Sequence, residues 1–285
     1  MTGYAIADRS SDLCSMHDLF EAFFERVCVA QLPQSKPVRP GEWTFMQTVA
    51  HITAAAEIYL HALEETVQGQ TFSLPNLRAR TDLARLNEQE IAKRSQLPLS
   101  VLSGSFLQAL QKTAQITQHL DVSELSLPVA LPIFNRSLTI AELLDMQIVH
   151  PGMLHADQLT RLVGLPPLWK QYSSEFMHRQ LARFFQLMSL VYWPERGGTL
   201  QAHIKFHIAG PGGGRWSLFI QPVGTFAKEG NFHHPTVTLW SPHPHAFSSF
   251  LMGQDRMPWP ILKGRMLPSG DLQLALQLGR LFNPT

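Results

Sequence analysis

The sequence predicts an α+β protein, with an all-α four-helix bundle over residues 1–168 followed by an α/β domain with a mainly antiparallel sheet over residues 169–285. Three observations carry this. Apolar residues recur at helical spacing in long stretches of the first half. Near residue 200 the pattern switches to strict alternation, the mark of half-buried strands. A glycine-rich turn, "GPGGG", then joins two such stretches.

The first helix is read from a start signal at Ser10, Ser11 and Asp12, with Leu13, Met16, Phe20, Phe23, Phe24 and Val27 at helical spacing. The stripe Phe20, Phe23, Phe24 is bundle core. "QLPQSKPVRPGEW" breaks the chain. A second helix opens at Thr44-Phe-Met-Gln47, a capping box in which the two side chains satisfy each other's orphan amides. It runs to about Gln68, and Glu64 and Glu65 belong to its solvated face. Residues 71–97 are polar and irregular, with one short helix. A third long helix spans about Leu99 to Leu120, and "LSLPVALPIFNRS" is a proline-broken loop. The fourth opens on a second capping box, Thr139-Ile-Ala-Glu142, and ends at "GLPPLWK", with no paired strands expected before residue 165. Four long amphipathic helices make a bundle.

The second half opens with a helix from about Ser174 to Tyr192. "QAHIKFHI" and "RWSLFIQ" are strands about the glycine turn, "TVTLW" is another, "AFSSFLMG" is a short helix, and "ILKGRMLPSG" holds a last strand. The glycine run is no phosphate loop, since no Gly-Lys-Ser/Thr follows and it joins strands. The terminal helix, "DLQLALQLGRLF", has leucines on two faces: Leu272 and Leu276 on one, Leu274, Leu278 and Leu281 on the other. Such a helix is expected to be covered on both sides or to cover a ligand.

Composition narrows the function. The formal net charge of +1 and the absence of a Lys/Arg-rich run give no case for a nucleic-acid partner. No apolar run approaches the roughly 20 residues of a membrane span, and the first residues lack a secretory pattern. Cys14 and Cys28 on one helix stand about 21 Å apart and cannot bridge. Reduced, inert, buried thiols in a cytoplasmic protein are the expectation.

"IVHPGMLHADQL", residues 148–159, places two histidines around a proline inside a helical pattern. In a straight α-helix His150 and His155 point about 140° apart, at roughly 100° per residue. Pro151 removes an amide and clashes with the Gln147 carbonyl, so a kink or wide turn here swings the two together, at a cost of about 3 kcal/mol. His51, His150 and His155 are the candidate metal ligands; three histidines suit Zn²⁺, with Ni²⁺ and Fe²⁺ as alternatives. Glu57 and Asp157 are candidate orienting or fourth groups. His233, His234, His243 and His245 lie in proline-rich connections without zinc-finger spacing and read as exposed loop ends.

On the ordered run "IKFHIAGPGGGRWSLFI…PTVTLW…FSSFLMGQ…ILKGRMLPSGDLQLALQLGRLF", residues 172–283 resemble a sterol-carrier-protein domain. This implies a five-stranded sheet and an apolar tunnel. Leu218, Phe247, Phe250, Leu251, Leu274 and Leu278 are its candidate lining. "EWTFMQTVAHI" and "VHPGMLHADQLTRLVG" resemble the DinB-like bundle superfamily, which implies a divalent metal on His51, His150 and His155. The combination is similar to the mycothiol-dependent maleylpyruvate isomerase family. That family typically places a glutamate where Pro151 stands here.

Two readings follow. The first is a small-molecule binding protein, with a metal-holding bundle fused to a lipid- or sterol-type apolar-ligand domain. The second is a divalent-metal-dependent isomerase or transferase using a low-molecular-weight thiol, with Arg215 or Arg256 binding a substrate carboxylate. No catalytic residue is assigned, and monomer and homodimer both stay open.

Overall fold

In the computed structural model, residues 5–30, 37, 42–74, 77–132, 134, 136–251 and 259–282 are described. The chain is an α+β protein and divides into two compact units, Gly3–Leu168 and Trp169–Thr285.

The first unit is built on α1 (Ile6–Ala30), α2 (Phe45–Val67), α4 (Leu99–His119) and α5 (Ile140–Val149), with the short α3 (Leu83–Arg94) against α2. Phe20 holds the centre, its ring 4.9 Å from Phe106, with Phe23 and Phe24 beside it. Both capping boxes form: Thr44 accepts from the Gln47 amide and Thr139 from the Glu142 amide, and each partner side chain returns to the cap.

Three expectations fail in this unit. The start signal at Ser10–Asp12 is wrong: α1 begins at Ile6, and Ser10 and Asp12 lie buried inside it. Tertiary contacts serve polar residues here: the Ser10 hydroxyl donates to the Ala114 carbonyl of α4 at 3.5 Å. Arg9 donates twice to the Asp145 carboxylate on α5, both bonds near 3.0 Å, and both residues are buried. Cys14 and Cys28 are exposed rather than buried. Among the described residues the bundle also carries a two-residue antiparallel ribbon, β1 (Pro128–Val129), inside the stretch read as a loop, with β2 (Leu138–Thr139) just after it. It pairs the backbone where the chain doubles back and leads into the Thr139 cap.

The second unit opens with α7 (Ser174–Met188), a helix that ends four residues before Tyr192. The sheet follows: β3 (Ala202–Ile208), β4 (Gly214–Gln221), β5 (Gly224–Glu229), β6 (Val237–Ser241) and β7 (Leu267–Gly270), in spatial order β5-β4-β3-β6-β7. The β3–β6 pair is parallel and the other three are antiparallel. β3 alternates buried and half-buried along its length, as its pattern predicts. β5 escaped the sequence reading. It is an edge strand whose residues are all half-buried or exposed, so it carries no apolar alternation.

Alternate residues of β3 and β4 face the core. There the Phe185 ring stacks on Trp216 at 5.0 Å and lies 4.6 Å from Phe206 and 5.7 Å from Phe247. The β3–β4 turn needs its glycines. Gly210 and Gly212 have φ of 82° and 78°, and a Cβ on Gly213 would stand 2.2 Å from the Ile208 carbonyl oxygen.

The last helix, Leu272–Leu281, corrects another expectation. Leu274 and Leu281 are buried, while Leu272 and Leu276 are 54% and 67% exposed. The helix is covered on one face. Burying apolar residues is favourable, but nothing obliges each leucine to be inside.

Candidate metal centre

The site is built by α2 and by the irregular segment after α5. Pro151 has no amide to close an α turn on Gln147. The backbone instead widens into a π turn over His150–Leu154, where the His155 amide donates to the His150 carbonyl at 3.2 Å. Such a bond joins residues five apart. His150 and His155 therefore stand at the two ends of one hydrogen-bonded turn, on the same side, and α6 (Ala156–Leu162) resumes the regular helix. The wide turn solves the 140° problem that a straight helix poses.

His51 enters from α2. Its Nε2 lies 3.2 Å from His150 Nε2. The ring centroids are 5.0 Å (His51–His150), 4.8 Å (His51–His155) and 4.7 Å (His150–His155) apart. One ligating nitrogen from each falls within 4.8 Å of the others. His155 Nδ1 bonds Gln158 Oε1 at 3.1 Å, which leaves its Nε2 for the site.

All three rings are held neutral. Burial, then the neighbouring His155, pushes His51 down to about 2. Burial lowers His155 to about 4 against a raising bond from Gln158. His150 is pushed well below the ordinary histidine value by burial, then by His155 and His51. Neutral imidazoles with converging lone pairs are what a divalent metal requires.

The donor set fits such an ion. Two nitrogens at about 2.0–2.1 Å from one Zn²⁺ in tetrahedral array lie roughly 3.4 Å apart, close to the His51–His150 spacing. Among the described residues no carboxylate joins the group, so three histidines would leave a coordination position open.

The two candidate carboxylates go elsewhere. Glu57 takes Arg94 of α3 at 2.8 Å and ties α2 to α3. Asp157 is buried and lies 3.3 Å from Arg161, whose other nitrogen reaches Glu42 at 3.4 Å. That chain anchors the segment next to Trp43.

The sequence reading missed three residues here. The Trp43 ring packs 4.6 Å from His51 and is stacked 6.2 Å from His155. Tyr59 meets His150 edge-on at 6.0 Å, and burial raises its phenol. Gln158 orients His155. Two weak signals were present: Trp43 immediately precedes the Thr44 cap, and Gln158 follows His155 by three residues on α6.

A second gathering, His17, Asp18 and Glu21 on α1, has both carboxylates exposed and none of this enclosure. His233, His234, His243 and His245 bring no third ligand together among the described residues.

The candidate tunnel residues have mixed positions. Leu218, Phe247 and Leu274 are buried, with Phe247 inside the Phe185–Phe206 cluster. Phe250, Leu251 and Leu278 are half-buried. An open concavity lies at the β3–β4 turn, where Arg215 sits. Arg256 lies outside the described residues.

Two solved structures share this arrangement of a helical unit followed by a mixed sheet. One is a mycothiol-dependent maleylpyruvate isomerase, at TM-score 0.55 and 12% identity, covering 88% of this chain and 90% of that one. The other is a histidine-to-alanine mutant of a mycothiol-dependent maleylpyruvate isomerase, at TM-score 0.56, 11% identity and the same coverage. The likeness establishes the fold. No protein-family model matches the chain, and no curated protein matches it in sequence. The comparisons lend the apolar-ligand expectation no support. No helix among the described residues is long and apolar enough to cross a membrane.

Proposed function

We propose that this chain binds one divalent metal ion through His51, His150 and His155. We further propose that it uses the ion with a low-molecular-weight thiol, in an isomerisation or group transfer on a small unsaturated acid. The observation that carries the reading is the convergence of three imidazoles on one point, two buried and His155 half-buried, with no carboxylate joining them among the described residues. The fold shared with mycothiol-dependent maleylpyruvate isomerase supports the thiol part.

When bound, the metal would lower the pKa of a thiol or water and supply a nucleophile at neutral pH. The chain's own residues do the rest. Gln158 fixes the ring of His155, and such orienting partners typically contribute 10–100-fold in metal affinity. Trp43 and Tyr59 wall the histidines and restrict water. Among the described residues no fourth protein ligand joins the three histidines, which leaves room for an exogenous sulfur.

The test is elemental analysis and Co²⁺ spectroscopy of protein loaded with metal. One ion per chain, lost in His51→Ala and His150→Ala, is expected. Adding a small thiol to the Co²⁺ form should shift its visible absorption. Metal content equal in wild type and both variants overturns the site, and an unchanged spectrum with a thiol overturns the thiol role.

A further inference from the structure

The outer face of the second unit's sheet carries a charge pattern that the metal site does not use. Directly paired residues of neighbouring strands share a face. On that face His207 of β3 stands opposite Arg215 of β4, and Lys205 stands opposite Ser217, whose other neighbour is Lys228 of β5. Four basic side chains thus occupy two adjoining rows. Burial, followed by the charges of Arg215 and Lys205, holds His207 below its ordinary value, which shows how closely these groups crowd one another.

An open depression of about 400 Å³ lies at the end of this face, lined by His207, Arg215, Asn231 and the glycines of the turn. Glycine keeps its rim low. Gly213 and Gly214 can carry no side chain, because a Cβ on Gly214 would meet the Trp216 ring at 2.6 Å. The one carboxylate in the lining, Glu229, is occupied: its Oε1 lies 3.0 Å from His178 Nε2, while His178 Nδ1 reaches the Gly213 carbonyl at 2.9 Å. Lys205 is steered toward the site by Asn231, whose side-chain oxygen accepts from its ammonium. The Arg215 guanidinium is exposed and has no carboxylate partner among the described residues.

We propose that this depression is an anion-binding site for a small dianion, with Arg215 making the main contact and Lys205 and His207 adding donors. The ligand chemistry is two negative charges on compact oxygen groups, from a phosphate or a short dicarboxylate. A guanidinium fork matches either group with two parallel bonds. This inference rests on the second unit alone and stands whether or not the histidines of the first bind a metal.

Titration of ¹⁵N-labelled full-length protein with inorganic phosphate and with succinate, with acetate as monoanion control, tests it. Saturable shifts at the Gly213, Gly214 and Arg215 signals are expected, with a dissociation constant of about 1 mM or tighter for at least one dianion. Saturation by phosphate alone assigns a phosphate-bearing ligand, and saturation by succinate alone a dicarboxylate; either supports the site. Arg215→Gln should weaken binding about tenfold or more, and Arg215→Lys should recover part of it. His51→Ala should leave the titration unchanged, which separates this site from the metal reading. Equal binding by wild type and Arg215→Gln, or no saturation by either dianion below about 10 mM, overturns the proposal.

Discussion

The two histidine-rich regions of this chain differ in everything except their histidines. In the bundle, three rings stand 4.7–5.0 Å apart. In the second unit, His243 and His245 are equally close, at 4.6 Å, and His233 and His234 lie 6.4 Å apart. Ring proximity alone therefore does not separate the two regions. The bundle histidines are fixed by α2 and by a hydrogen-bonded π turn, are largely enclosed, and gather a third partner from 99 residues away in sequence. Among the loop histidines, His243 Nδ1 already accepts from the His245 amide at 3.1 Å, so part of that pair's lone-pair capacity serves the backbone. His234 holds φ of 58°, a turn conformation. Regular structure brings distant lone pairs to one point, and loops spend them locally.

The strongest way to break this contrast is to remove a ligand. His51→Ala or His150→Ala should cost metal affinity beyond the 10–100-fold typical of an orienting partner, read by competition with a chromophoric chelator. Paired His243→Ala and His245→Ala substitutions should leave metal content at the wild-type value. Metal content that follows the loop histidines would reverse the assignment.

A core lesion should be the largest effect on stability. Phe106→Ala removes the ring that meets Phe20 at 4.9 Å in the bundle centre and should cost about 3–5 kcal/mol in urea denaturation. His233→Ala, on a loop, should stay within about 0.5 kcal/mol.

The neutral state of the triad predicts a pH dependence. An unfolded histidine titrates near 6.5, while His155 is lowered to about 4 and His51 to about 2 in the fold. Between those values the unfolded chain binds more protons, so folding stability falls as pH drops below about 6.5. The slope reaches at most about 1.4 kcal/mol per pH unit for each such histidine. Urea midpoints of metal-free protein at pH 7.5 and 5.0 should show the loss, and His155→Gln should lessen it. An equal drop in wild type and variant would place the cause elsewhere.

Smaller changes sharpen the comparison. Pro151→Ala restores an amide that can close an α turn on Gln147. It should weaken metal binding by drawing His150 and His155 apart, with little loss, or a gain, in the stability of the metal-free protein. Gln158→Ala should weaken binding 10–100-fold without moving the backbone. Full affinity in Pro151→Ala would show that packing, not the proline, sets the turn.

Much of the fold was legible in the sequence because its signals are local. Both capping boxes act within four residues, and the alternation of β3 and the glycine turn follow from nearest-neighbour backbone geometry. The candidate ligands were legible too, since a proline between two histidines announces a break in the α register. The failures share one cause. Ser10 and Asp12 looked like a cap but are inside α1, beside an Arg9 whose partner, Asp145, lies 136 residues away. β5 had no pattern because an edge strand need not alternate. Glu57 and Asp157 were read as servants of the metal, yet Arg94 and Arg161 claim them.

What the sequence determined by itself is therefore periodicity, caps, turns and the point where the helix must break, all set by sterics and hydrogen bonds over a few residues. The tertiary structure decided where the break leads. It turned a helix interruption into an i→i+5 turn, set His51 against it, and enclosed the rings enough to lower the pKa of each. It also placed Trp43 and Tyr59 around them and assigned each distant carboxylate its arginine. Those outcomes depend on desolvation and on contacts between residues far apart in the chain, which no local pattern encodes.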